Sequence, residues 1–88
     1  MKLTKFDAEQ LLDWGHPERD FPQIEEAMKK SKTKYELDGK QITREEAISL
    51  LGRKRYLAGI SRSAFHYTAS QCLDDGRVVC FDSCKLFE

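Results

Sequence analysis

The sequence has few of the residues that break up or cross-link a chain. Among its 88 residues are 2 prolines, 5 glycines, 1 tryptophan and 3 cysteines. An odd number of cysteines cannot close into a complete set of intramolecular disulfides. All three, Cys72, Cys80 and Cys84, lie near the end of the sequence, which is not the layout of a disulfide framework. The cysteine content therefore predicts a protein of a reducing compartment.

Long hydrophobic runs are also missing. The first residues, Met1–Asp7, have no apolar stretch of the ~7–15 residues that a signal peptide needs. No apolar run in the sequence approaches the ~18–20 residues of a membrane span. We therefore expect a cytoplasmic protein without a membrane partner.

Motifs for catalysis and for cofactors are missing as well. The sequence has no phosphate-binding P-loop, no dinucleotide fingerprint and no Gly-x-Ser-x-Gly nucleophile elbow. It has no Cys-x-x-Cys pair, and Cys80 and Cys84 would lie roughly 13 Å apart along an extended strand. One zinc ion needs its ligands within about 2.0–2.3 Å, so this spacing requires a sharp turn of the chain. We expect no catalytic residue, no cofactor and no metal site.

What the sequence does contain is enough for one small domain over residues 1–88. Its 26 large apolar residues can supply a core, although a chain of this length buries only about 60–65% of its unfolded surface. The 34% of charged residues and the mean hydropathy of −0.64 are typical of a soluble globular protein.

Capping signals predict where the helices begin. Thr4 with Asp7, and Thr43 with Glu46, are spaced as capping boxes, in which each side chain bonds the other residue's backbone N–H. Asp20 is predicted to cap a further helix, with a proline in its first turn.

Glycines predict where three of the helices end. The first helix is expected to end at Gly15 and the third at Gly52. A fourth helical stretch is expected from Arg53 to a stop at Gly59, and the second helix is expected to end near Ser31.

Two segments have the pattern of β-hairpins. Tyr35–Ile42 has Asp-Gly at its centre, which suits a type I′ turn and places Tyr35 opposite Ile42. The alternation over Arg62–Leu73, followed by the β-rich Arg77–Asp82, predicts a second hairpin.

The resulting element order, ααββααββ, predicts an α+β fold in which antiparallel hairpins form a small sheet with helices packed on one face. Within it we expect Trp14 to lie in the core. Cys72 and Cys80 flank the second hairpin turn. One interpretation is that they face each other and can be oxidised; the one we favour is that they are small buried hydrophobic residues. Lys85–Phe87 is a candidate edge strand, which in a weak dimer would pair with its copy.

The formal net charge of zero hides an uneven distribution. Residues 1–26 carry a net charge of −4, residues 27–62 carry +6 and residues 63–88 carry −2. The total excludes a uniformly basic nucleic-acid coat. It leaves a basic middle segment between two acidic ones, and a charge division of this kind steers charged partners.

The basic middle segment supplies the candidate binding residues. If its two clusters converge in space, they can hold phosphates while a tyrosine stacks on a base. The alternative is that the charges are dispersed or are paired with the acidic N-terminal helices. The candidate residues are Lys29, Lys30, Lys32, Lys34, Arg53, Lys54, Arg55, Tyr56, Arg62 and His66.

Arg62, Ser63, His66 and Tyr67 form the densest group of reactive side chains. On the predicted strand Arg62 and His66 share one face, and Ser63 and Tyr67 lie on the other, so a Ser–His dyad is geometrically poor. The Arg–His pair can bind an anion or the carboxylate of a partner. The alternative is a polar strand face that lies beside solvent or is covered by a helix.

The run Tyr35–Gly52, followed by Arg62–His66, resembles small uncharacterised proteins of Gram-positive bacteria and their mobile elements. The resemblance implies a bacterial cytosolic origin. It implies no activity and no site residue.

Three functions follow from these observations as hypotheses. We expect a non-enzymatic binding or regulatory module of the bacterial cytoplasm, a monomer or weak dimer, whose partner is another protein. The second hypothesis is nucleic-acid binding through residues 29–34 and 53–62. The third is a small enzyme that uses Arg62 and His66.

Overall fold

The computed structural model of this chain describes residues 3–29 and 33–83. Its α+β class and its ααββααββ order are those predicted. A short 3-10 helix, Glu18–Asp20, precedes the second helix. The helices and strands are α1 (Lys5–Asp13), α2 (Phe21–Ala27), β1 (Lys34–Leu37), β2 (Lys40–Ile42), α3 (Arg44–Leu51), α4 (Arg53–His66), β3 (Thr68–Cys72) and β4 (Val78–Asp82).

Two helices begin at the predicted capping boxes. Thr4 Oγ1 accepts a hydrogen bond from the Asp7 N–H at 3.1 Å, and Asp7 Oδ2 accepts one from the Thr4 N–H at 3.0 Å. Thr43 and Glu46 make the same reciprocal pair at the start of α3. The predicted cap at Asp20 is wrong, because its backbone is already helical and its carboxylate lies 3.3 Å from His16 Nδ1 instead.

The four strands form one antiparallel sheet in the order β2-β1-β4-β3. The first hairpin has the predicted register, with Tyr35 opposite Ile42. Its turn residues Asp38 and Gly39 have φ of 49° and 86°, the two positive values that a type I′ turn requires. The hairpins join at the centre of the sheet, where β1 pairs with β4 and Tyr35 lies opposite Phe81.

The core lies between one face of this sheet and the helices. Tyr35, Val79 and Phe81 are buried on that face. α4 packs above β3 and β4, and α2 packs against α4. Among the described residues no helix has both the length and the apolarity needed to cross a membrane.

The predicted helix stop at Gly59 is wrong, because α4 continues through it to His66. A Cβ on Gly59 would collide with the ring of Phe81. The glycine therefore lets α4 approach β4 closely. The expected strand from Arg62 also starts too early: Tyr67, at a φ of 71°, ends the helix, and β3 begins at Thr68.

Polar groups inside the fold are paired. Arg53 Nη2 lies 2.6 Å from Asp7 Oδ2, which joins α4 to α1. Burial alone would raise the pKa of Asp7, but the bonds from Arg53 and Thr4 outweigh it and hold that pKa below its ordinary value. No buried side-chain nitrogen or oxygen in the described part of the chain lacks a hydrogen-bond partner.

Hydroxyl groups join the helical layer to the sheet. Ser83 Oγ lies 2.8 Å from Thr33 Oγ1 and 3.0 Å from Ser63 Oγ, with all three residues buried. The hydroxyls of Tyr35 and Tyr56 lie 3.0 Å apart. Burial raises the pKa of both tyrosines, so both stay neutral at ordinary pH.

Trp14 is not a core residue. It caps the C-terminal end of α1 with 37% of its surface exposed. Leu11 occupies the buried face of that helix, and Phe6 and Leu12 are exposed along with Trp14. Residues 84–88 lie outside the described residues, and with them the candidate edge strand at Lys85–Phe87.

Candidate functional site

The sheet face away from the helices is open and polar. It contains a shallow depression of about 320 Å³. The side chains that alternate onto this face in the described strands include no aromatic ring, so the face has no platform for stacked bases. Its exposed residues are Lys34, Glu36, Gln41, Thr68, Ser70, Cys72, Cys80 and Asp82.

Among residues 3–29 and 33–83, no strand pairs with the outer edge of β3, so its outward-facing backbone groups have no strand partner there. Two hydrogen bonds fix which groups these are. Ser83 donates its N–H to the Tyr67 carbonyl at 2.7 Å, and Leu73 donates to the Arg77 carbonyl at 2.8 Å. Hydrogen-bonded pairs alternate along an antiparallel pair of strands, so the odd-numbered residues from 67 to 73 face β4.

The even-numbered residues of β3 therefore direct their N–H and C=O groups away from the sheet. They are Thr68, Ser70 and Cys72, and within the described residues β3 has β4 as its one strand neighbour. These three alternate residues provide three N–H donors and three C=O acceptors along one edge of the strand. We call these three residues the β3 edge.

The opposite edge of the sheet, at β2, is much shorter. Lys40 follows the two-residue turn, so Leu37 and Lys40 form a hydrogen-bonded pair, as do Tyr35 and Ile42. The alternation leaves Gln41 as the single outward-facing residue of β2. This edge therefore offers one donor and one acceptor.

β3 itself contains none of the residues that usually protect an exposed strand. Natural sheets keep their edges from pairing with other chains by means of charged side chains, proline, bulges or very short strands. β3 is five residues long, Thr-Ala-Ser-Gln-Cys, with no charge and no proline. No charge and no proline within β3 therefore opposes the addition of a further strand.

A basic stripe on α4 flanks the β3 edge. Helical residues lie about 100° apart around the axis, so positions seven and eleven residues after Arg55 lie within about 20° of it. These positions are Arg62 and His66, and both are exposed. α4 contains no acidic residue from end to end. We call Arg55, Arg62 and His66 the α4 stripe.

The contacts of α4 place the stripe on the β3 side. Gly59, about 40° from Arg55 around the axis, faces Phe81 of β4. Arg53, about 160° away, reaches Asp7 of α1. The side chains of the stripe therefore project from the side of α4 that is near the sheet and away from α1. Accordingly, Arg55 Nη2 lies 3.0 Å from Oδ1 of Asp74, two residues beyond the end of β3.

The remaining basic candidates that the structure describes do not converge with the stripe. Arg53 is bound to Asp7, and Lys29 Nζ lies 3.0 Å from Glu26 Oε2. Lys34 is exposed on the open face of the sheet, which is opposite the helices. Lys54 is exposed on α4, about 100° from Arg55. Lys30 and Lys32 lie outside the described residues.

Tyr56 cannot stack on a base. The sequence interpretation made it available to a nucleic acid, but its side chain is 0% exposed and packs against Tyr35 and Phe81. Its place on the inward face of α4, three residues before Gly59, explains the burial.

Arg62 and His66 do share a face, although on a helix rather than on a strand. Residues four apart share a face on a helix as they do on a strand, but the helix brings them much closer, to about 6 Å along its axis. Ser63 points inward, where its hydroxyl bonds the Ile60 carbonyl and lies beside Ser83. A Ser–His dyad is therefore absent from this group of described residues.

Cys72 and Cys80 are exposed, so their interpretation as buried small residues is wrong. They also do not face each other. Cys72 lies opposite Val78, and Cys80 lies opposite Ser70. Diagonal neighbours on adjacent strands are about 7–8 Å apart, which is beyond the reach of an unstrained disulfide. Cys84 lies outside the described residues.

Sequence reasoning missed the β3 edge itself. The sequence does contain a signal for it, an uncharged five-residue run before a turn. Which strand lies at the edge of a sheet depends on the strand order, however, and a single sequence does not give that order. No family model, no curated protein and no solved structure matches this chain. The resemblance of Tyr35–Gly52 and Arg62–His66 to small Gram-positive proteins stays a prediction.

Proposed function

We propose that this chain is a small non-enzymatic module of the bacterial cytoplasm that binds another protein. The binding site is the β3 edge, which takes an extended segment of the partner as an additional strand. The observation that supports this most strongly is the row of three outward-facing residues, Thr68, Ser70 and Cys72, on an edge without protective charges.

Strand addition explains how so small a domain can bind without a deep pocket. Main-chain hydrogen bonds supply affinity in this mode, and alternate side chains of the added strand supply specificity. Each hydrogen bond contributes about 0.5–1.5 kcal/mol. Ordering the partner segment consumes part of this gain, so the module binds reversibly, as regulation requires.

A proline at the β3 edge tests the proposal. Ser70→Pro removes an outward-facing N–H and places a ring where the added strand would lie. The change keeps the bonds to β4, because proline is tolerated where a strand's N–H faces solvent. Gln41→Pro is the matched control, since it makes the same change at the β2 edge.

The measurement is affinity capture from a native bacterial lysate, followed by hydrogen exchange of the recovered complex. We expect the unmodified chain and Gln41→Pro to retain the partner and Ser70→Pro to lose it. Binding should slow amide exchange at Thr68, Ser70 and Cys72. A partner retained equally by Ser70→Pro, or protection confined to other strands, overturns the proposal.

Nucleic-acid binding is the second candidate, and the absence of acidic residues in α4 is the observation that favours it. It requires affinity that falls steeply with salt, because bound phosphates release counterions. Titration with single-stranded and double-stranded oligonucleotides at low salt tests it. Equal weak binding by the parent chain and by Arg55→Ala/Arg62→Ala would exclude this role for the stripe.

A further inference from the structure

We infer that the segment added at the β3 edge is acidic, with carboxylates at alternate positions on the side that faces α4. The inference rests on the proposed function and names the chemistry of its partner. It follows from the position of the α4 stripe above the edge.

The cationic groups of the stripe are available to a ligand. Arg62 is exposed and has no acidic partner among the described residues. Arg55 is bound to Asp74, but the two side chains are 46% and 91% exposed, and an exposed pair of this kind is held by about 1 kcal/mol or less. A carboxylate arriving beside β3 can therefore bind Arg62 directly and share Arg55 with Asp74.

The spacing of the stripe matches that of a strand. Arg62 and His66 are separated by about 6 Å along the helix axis. Side chains two residues apart on an added strand point to the same side and are separated by about 6.6–6.8 Å. Two carboxylates at alternate positions of the partner thus fit the last two members of the stripe.

The two sides of the added strand face different surroundings. On the helix side it meets the α4 stripe. On the other side its side chains continue the open face next to Thr68, Ser70 and Cys72, which carry no charge. The expected segment therefore has acidic residues on one side and small uncharged residues on the other.

A second copy of this chain does not fit the same place. Two β3 edges can pair about a two-fold axis at Ser70, since the strand is uncharged. That arrangement also brings two α4 stripes together across the axis, and like charges in proximity oppose association. A complex with an acidic partner has no such repulsion, whereas a complex of two copies has it.

Synthetic peptides of about nine residues, a typical strand length, provide the test. In one peptide Thr alternates with Glu, in a second Thr alternates with Gln, and in a third Thr alternates with Lys. Binding is measured by fluorescence anisotropy against the parent chain, Ser70→Pro, Arg62→Glu and Lys40→Glu. The last variant makes the same charge change at the other edge.

We expect the Glu peptide to bind about tenfold more tightly than the Gln peptide, with the Lys peptide weakest. Arg62→Glu should reverse that order, and Lys40→Glu should leave it unchanged. Ser70→Pro should abolish binding of all three peptides. Circular dichroism confirms that each variant is folded, and Arg62→Gln, which should only level the preference, replaces Arg62→Glu if that variant unfolds.

The outcomes separate the inference from the function on which it rests. Equal binding of the Glu and Gln peptides that Ser70→Pro abolishes would overturn the acidic partner and keep strand addition. A Glu preference that persists in Ser70→Pro would overturn strand addition. A preference lost equally in Lys40→Glu and Arg62→Glu would show general charge attraction and would overturn the role of the stripe.

Discussion

The two outer edges of this sheet, one in each hairpin, differ in how many backbone groups they direct outward. The first hairpin has a two-residue turn and a three-residue outer strand, and it directs one backbone residue, Gln41, outward. The second has a longer turn and a five-residue outer strand that directs three residues outward. A short outer strand is one of the ways in which proteins close an edge. In the part of the chain that the structure describes, the sheet therefore has a short outer strand at one end and a longer, unpaired outer strand at the other.

The helices that lie over the two hairpins also differ, in the charge that they carry. α4, the longest helix, covers β3 and β4, and its exposed side carries the basic stripe. α3 lies over the first hairpin and places Glu45 and Glu46 in its first turn. The open edge therefore lies beside a basic helix and the closed edge beside an acidic helix start. Under the proposed function, hydrogen bonding and charge would both direct an acidic segment to β3.

Hydrogen exchange of the free protein should show the largest difference between the edges. In β3 the amides of Ala69 and Gln71 are bound to β4, whereas those of Thr68, Ser70 and Cys72 face outward. Amides open to solvent exchange with little protection, and those in a core ladder are protected up to the global stability. We expect protection factors that alternate by a factor on the order of a thousand or more.

The measurement is residue-resolved exchange by NMR at neutral pH. Gln41 is expected to be the single fast amide of β2. Uniform protection along β3 in the free protein would mean that its outer edge is already covered, and the contrast between the two edges would then disappear.

Gly59→Val should produce the largest loss of stability. The added side chain meets the Phe81 ring, so α4 must move off the second hairpin. Overpacking of this kind costs about 3 kcal/mol. Urea unfolding measures it, and Ala58→Val is the matched control, with an expected cost below about 1 kcal/mol from helix propensity. Equal losses in the two variants would contradict the close approach of α4 to β4.

Acid should weaken the contact between α1 and α4 and leave both edges unchanged. The folded pKa of Asp7 is depressed, so its stabilising contribution is complete above the unfolded value of about 3.9 and is lost as pH falls through the lower folded value. Asp7→Ala should cost about 2–3 kcal/mol at neutral pH, because it leaves Arg53 without its partner.

Urea unfolding at pH values from 2 to 7 is the check for this contact. Asp7→Ala should flatten the acid limb of the stability curve. Asp13→Ala, an exposed change on the same helix, should stay within about 0.5 kcal/mol of the parent chain. An acid limb that is unchanged in Asp7→Ala would place the acid-sensitive group elsewhere.

Arg55→Ala should have the smallest effect on folding. Its bond to Asp74 joins α4 to the turn of the second hairpin, but both groups are exposed to solvent. Exposed pairs contribute about 0.2–1 kcal/mol, so thermal unfolding should shift little. A loss above about 2 kcal/mol would show that the stripe holds the hairpin in place rather than remaining available to a partner.

Local signals were sufficient for much of the fold. The reciprocal bonds of Thr4 with Asp7, and the positive φ values at Asp38 and Gly39, are decided by neighbouring residues, so sequence predicts them well. Gly59 was misread because a glycine that ends a helix and one that admits a neighbouring ring look identical in sequence. The second role depends on Phe81, which lies far along the chain.

The candidate site was predictable in part. Arg62 and His66 were singled out for sharing a face, and a four-residue spacing gives that result in either kind of element. The β3 edge was not predictable, because its exposure depends on which strands occupy the centre of the sheet. Tyr56 was assigned to the surface by its basic neighbours, whereas its helix position buries it.

The pairing of β1 with β4 at the centre of the sheet also has a kinetic consequence. Each hairpin joins strands that are near in sequence, but about half of the chain separates Tyr35 from Phe81. Closing a long loop costs conformational entropy before the contact between the strands can stabilise it. Non-local pairing of this kind therefore slows folding. The hairpins and helices are thus expected to form first, with the central strands joining in the rate-limiting step. Until that step is complete, β1 and β4 are edges too, and the nascent chain has more open strands than the finished one.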